Sequence, residues 1–80
     1  MLTLRVKVFA TLARERADLR ADRPVAVAVP AGADLAGVVA ALDLPAERIQ
    51  HIFVNGRRRP LDFRPAEGDE VAIFPPLAGG

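Results

Sequence analysis

One stretch of this 80-residue chain carries a full helical stripe: Leu35, Val38, Val39 and Leu42 recur at i, i+3, i+4 and i+7. The other apolar segments run at the period of a strand or in short β-preferring blocks. In "LTLRVKVF" (2–9), Leu2, Leu4, Val6 and Val8 alternate with Thr3, Arg5, Lys7 and Phe9, which predicts a half-buried strand. "VAVAV" (25–29) predicts a second strand with both faces at least partly covered. "HIFVNGRRRPL" (51–61) predicts a hairpin, because Asn55-Gly56 supplies the positive φ values of a type I′ turn. "VAIF" (71–74) predicts the last strand, stopped by Pro75-Pro76, which have no amide hydrogen to donate to a ladder. "ATLARERAD" (10–18) favours a short helix. Pro45 is expected to close the main helix and Asp34 to suit its first turn. One principal helix covers one face of a sheet, so the fold class is α+β.

The first and last strands are both strongly apolar, and pairing them side by side puts both chain ends in the middle of the sheet. That order of elements predicts a β-grasp, ubiquitin-like mixed sheet with one main helix on one face. Residues 1–75 are expected to form this domain and 76–80 a flexible Gly-Gly tail. Without cysteine there is no disulfide framework and no thiolate metal site, so the core alone supplies stability. No apolar run is long enough to span a membrane, and the charged, alternating N-terminus does not resemble a signal peptide, so a cytoplasmic protein is expected.

Reactive side chains are few: one histidine (His51), two threonines (Thr3 and Thr11), and no Cys, Ser or Tyr. A nucleophile beside an oriented base cannot be assembled from that set, so the chain is not expected to be catalytic alone. His51 has no second histidine or cysteine with which to hold a metal, and no bound cofactor is expected. A net charge of +1 argues against nucleic acid or an acidic membrane as the main partner. Arg57, Arg58 and Arg59 are read first as a solvated hairpin, second as a docking site for an acidic protein patch, and last as a phosphate contact.

The end of the chain is different in kind. "FPPLAGG" (74–80) is uncharged apart from its terminal carboxylate. Pro75-Pro76 gives a stiff exit from an anchored strand, and Gly79 and Gly80 have no Cβ, so they can pass through a channel barely wider than a backbone. Phe74, Pro75, Pro76, Leu77, Ala78 and Gly79 are read as a partner-binding strip, although Phe74 suits the core equally well. The α-carboxylate of Gly80 is the only reactive group this arm delivers. It becomes an acyl donor once activated, for example as a mixed anhydride with AMP, and a sulfur nucleophile displacing AMP would leave a thiocarboxylate.

The segment "EGDEVAIFPPLAGG" (67–80) closely resembles the C-terminal motif of the MoaD/ThiS sulfur carriers, and "VKVFATLARE" (6–15) is similar to the start of that family. The resemblance is nearest to the small subunit of molybdopterin synthase. It implies a Gly80 adenylated by an E1-like, MoeB/ThiF-like enzyme that consumes ATP. It also implies sulfur supplied by a donor such as a cysteine desulfurase or rhodanese, and insertion of the tail into an acceptor enzyme. For molybdopterin synthase that acceptor is the MoaE-like large subunit. The three arginines and Leu77 depart from the usual pattern and loosen the assignment to one pathway. Sulfur transfer for thiamin or another metabolite, protein modification through Gly80, and a nucleic-acid-binding β-grasp module remain as alternatives.

Overall fold

The computed structural model of the chain describes residues 1–9, 12, 16, 18, 19 and 22–76. Its elements in chain order are β1 (Leu2–Val8), β2 (Val25–Val29), α1 (Leu35–Ala41), a single 3₁₀ turn (Ala46–Arg48), β3 (His51–Val54), β4 (Arg57–Arg58) and β5 (Glu70–Phe74). The strands form one five-stranded sheet in the order β2-β1-β5-β3-β4. β1 runs antiparallel to β2 and parallel to β5, and β3 runs antiparallel to both β4 and β5. A parallel pair needs a long crossover. Here nearly the whole chain serves as that crossover, and the last strand returns to the centre beside the first. This is the β-grasp.

Strand parity decides what each face holds. Leu4, Val6 and Val8 of β1, Val71 and Ile73 of β5, and Ile52 and Val54 of β3 all turn inward. They meet Leu35, Val38, Val39 and Leu42, the whole predicted stripe of α1, in one aliphatic core. Leu12 and Leu19 are also fully buried there. The helix expected over 10–18 lies mostly outside the described residues. Within it, Arg16 makes a two-pronged pair with Asp18, at 2.9 and 2.8 Å, and donates to the carbonyl of Leu42. The Arg16 hydrogen bond holds the Asp18 carboxyl below its ordinary range, and Asp18 raises Arg16 in turn.

Helix α1 is shorter and more firmly closed than its sequence suggests. Asp34 is its N-cap, accepting a 2.9 Å hydrogen bond from the amide of Gly37. At the other end Asp43 adopts φ +59°, and its amide donates to Ala40 O while that of Leu44 donates to Val39 O. That is a Schellman closure with buried Leu44 beside buried Val39, so the helix stops before Pro45 has any effect. The first amides of α1 are met by the connection after β4: Leu35 donates to Phe63 O at 2.9 Å and Ala36 to Leu61 O at 3.0 Å.

Two expectations need correction. β2 is an edge strand whose Ala26 and Ala28 are exposed, so only one of its faces is covered. Two further methyl groups do not make a second buried face where no layer lies above them. β4 is only two residues long, because Pro60 cannot continue the ladder.

Candidate functional site

The same parity that fills the core sends Lys7, Phe9, Phe53, Glu70, Ala72 and Phe74 to the opposite face of the sheet, where they line a shallow depression together with Gly56. Register brings them together. Lys7 stands opposite Ala72 across the β1–β5 pair, Phe53 opposite the same Ala72 across β3–β5, and His51 opposite Phe74. Ala72 therefore leaves a gap in the middle strand that the flanking rings lean over. Phe9 and Phe74 stack with centroids 4.2 Å apart and planes 11° apart. Phe53 meets Phe74 edge-on at 5.5 Å, and His51 meets Phe53 edge-on at 6.5 Å. All four rings stay half-exposed. Lys7 and Glu70 border the cluster with a 3.1 Å ion pair.

This aromatic platform lies beside the exit of the last strand. The amide of Phe9 donates to Ile73 O at 3.0 Å and that of Gln50 to Phe74 O at 2.9 Å, so β5 is held on both sides up to its final residue. The other end of β5 is fixed as well. Asn55 donates through Nδ2 to Asp69 Oδ1 at 3.0 Å and accepts through Oδ1 from the Glu70 amide at 2.9 Å. Asn55 sits at φ +52° and Gly56 at φ +84°, as the hairpin turn requires. The strand that carries the C-terminal arm is thus central and pinned at both ends.

Of the residues singled out from the sequence, Phe74 belongs to the outer face and not to the aliphatic core. Pro75 is buried and Pro76 exposed, so Pro75 anchors the arm within this chain and offers little surface to a partner. The strand end still has core to join because β5 runs through the middle of the sheet. Leu77, Ala78, Gly79 and Gly80 lie outside the described residues. Arg57 and Arg58 are exposed, while Arg59 is half-buried with its guanidinium 4.7 Å from the centre of the Phe63 ring. It leans on that ring instead of the sheet. His51 is half-buried at the start of β3. Phe9 and Phe53 were not singled out, yet they form the platform with Phe74. Their position on the polar side of the alternation was the available signal.

Among the described residues no cluster of His, Cys, Asp or Glu is arranged to hold a metal ion. No helix among them is long and apolar enough to cross a membrane.

A sequence model of the ThiS family matches residues 6–80. The chain belongs to the ThiS family. Similar solved structures bear this out at the level of fold. SAMP1 from Haloferax volcanii is 31% identical, with 98% of this chain and 99% of that one aligned at a TM-score of 0.66. A protein from Pyrococcus furiosus named as molybdopterin converting factor, subunit 1, is 23% identical, with 96% and 100% aligned at 0.69. Urm1 from Trypanosoma brucei is 21% identical, with 98% and 95% aligned at 0.68. The last two show a shared fold alone. No curated protein sequence matches the chain. The architecture is that of the ubiquitin-like sulfur carriers and modifiers.

Proposed function

We propose that this chain is a sulfur carrier whose working group is the carboxylate of Gly80, and that it serves as the small, sulfur-donating subunit of a molybdopterin synthase. One observation carries the reading: the central strand, pinned along both edges, delivers Phe74 and buried Pro75 to the end of the sheet immediately beside a half-exposed aromatic platform. A partner that docks on the platform sits where the arm leaves, and the family match runs through Gly80 itself. Proteins of this family work with an E1-like activating enzyme and with a sulfur-accepting enzyme.

The chemistry follows from the poor leaving ability of a carboxylate oxygen. A Gly80 carboxylate oxygen attacks the α-phosphorus of ATP in the activating partner and pyrophosphate departs, leaving an acyl adenylate. A sulfur nucleophile from the donor protein then attacks the acyl carbon and AMP leaves. Where the donor is a cysteine persulfide the product is an acyl disulfide; a second thiol of the partner proteins attacks the donor-side sulfur, a disulfide forms between the two cysteines, and the chain is left with a thiocarboxylate. In the acceptor, the thiocarboxylate sulfur attacks a substrate carbon and displaces an oxygen leaving group; water then cleaves the resulting thioester at its acyl carbon, which leaves the sulfur on the substrate and restores the Gly80 carboxylate. ATP is the partner's substrate, and this chain holds no cofactor of its own. Pro76, Leu77, Ala78 and Gly79 act as the passage: uncharged, so cheap to desolvate, and narrow at the end. Ordering them costs roughly 1–2 kcal/mol per residue, which the partner offsets by clasping the backbone.

A second reading, conjugation of Gly80 to lysines of other proteins, is favoured by the likeness to SAMP1, a small archaeal modifier protein. The two share the adenylate and part only at the nucleophile. Intact-mass spectrometry after incubation with ATP, an activating enzyme and a sulfur source decides between them and tests both. Oxygen-to-sulfur exchange mapping to Gly80, lost when Gly80 is deleted or the chain is extended past it, supports the carrier. Isopeptide adducts without exchange favour the modifier. Sulfur transfer that survives a blocked terminus overturns the Gly80 chemistry altogether.

A further inference from the structure

A second concave surface lies at the β3–β4 edge of the sheet, and the sulfur chemistry makes no use of it. It is a groove of about 510 Å³ between α1, the segment after the 3₁₀ turn, and the β3–β4 arm. Val39, Ile49 and Ile52 contribute its aliphatic part, and Leu61, 55% exposed, stands at its border. Arg58 and Arg59 supply the charge, and no carboxylate among the described residues lines it.

Two observations say what fits there. Neither Arg58 nor Arg59 has a carboxylate within ion-pair distance among the described residues, so the positive charge at the groove has no acidic partner, with Arg59 resting only on the Phe63 ring. Next, β4 is the edge of the sheet, so its outer main-chain groups face no further strand. An aliphatic interior, unpaired guanidinium groups and a free strand edge together suit an extended chain better than a base or a sugar.

We propose that this groove is a docking site for an extended acidic segment of a partner protein, one that lays an aliphatic side chain such as leucine among Val39, Ile49 and Ile52. Its flanking carboxylates meet Arg58 and Arg59, and its backbone runs along the open edge of β4. The proposal stands independently of the Gly80 chemistry.

The test is a titration of the isotope-labelled full chain, followed by NMR, with a short amidated peptide containing one leucine flanked on both sides by glutamates. The expected result is saturable shifts at Val39, Ile49, Ile52 and Leu61, weakened by added salt and lost when the peptide leucine becomes serine. Arg58→Glu and Leu61→Asp alter exposed side chains, so the fold should persist; each should weaken binding about tenfold or more by opposing the acidic segment. Shifts confined to Phe9, Phe53 and Phe74, or binding indifferent to Arg58→Glu, would overturn the proposal. So would a single-stranded oligonucleotide that outcompetes the peptide at the same residues, which would make this a nucleic-acid site.

Discussion

The two faces of the sheet are built from the same three strands, and in β5 from consecutive residues, yet they do opposite things. On the inner face Val71 and Ile73 are fully buried against α1, among branched aliphatic side chains that fill space and carry no polar atom. On the outer face Glu70, Ala72 and Phe74 stay half-exposed, with rings that stack on one another and an ion pair at the border. The inner face has a layer above it and holds the domain together. The outer face has none among the described residues, and its cluster of three half-exposed phenylalanines is the surface that the proposed function gives to a partner. Neighbouring residues one peptide apart thus divide between the filled core and the open face, and the proposed function assigns recognition to the second.

The largest test of that division is Ile73→Ala. It opens a cavity in a filled core and is expected to cost about 4 kcal/mol, enough to lower the midpoint of thermal unfolding on the order of 20 °C. A shift of only a few degrees would show that the inner face is not what holds the fold. Phe74→Ala, one residue on, should cost about 1.5 kcal/mol through lost ring contacts. Circular dichroism should stay native while thiocarboxylate formation by the activating enzyme collapses. Equal losses of stability from the two substitutions would abolish the distinction between the faces. The smallest effect is expected from Glu70→Gln, which breaks the solvent-screened pair with Lys7 and should change stability by about 0.5 kcal/mol or less. A larger loss, measured by urea unfolding, would mean that this ion pair braces the platform.

Much of this was legible before any coordinates. The alternation over 2–8 already sorts Leu4, Val6 and Val8 from Arg5 and Lys7, and the stripe of α1 is buried as its spacing demands. Asn55-Gly56 forms the expected turn. The sequence did not show that the Asn55 side chain also bridges to Asp69 and Glu70, because those partners lie on another strand. The left-handed Asp43 was hidden for a different reason: Asp rarely ends a helix this way, and Pro45 offered a simpler stop. "VAVAV" misled because alternating valine and alanine looks alike on an edge strand and on a central one.

What the sequence settled by itself is local: which side chains share a face, where the chain turns and where it must stop, since those follow from fixed backbone periods and from Gly, Asn and Pro geometry. Which strands become neighbours was decided only in three dimensions. Phe9 stacks on Phe74, and Pro75 is buried, because β5 pairs in parallel beside β1 at the centre of the sheet. Register between distant segments is set by burial of the whole inner face at once, and no short window of residues contains that sum.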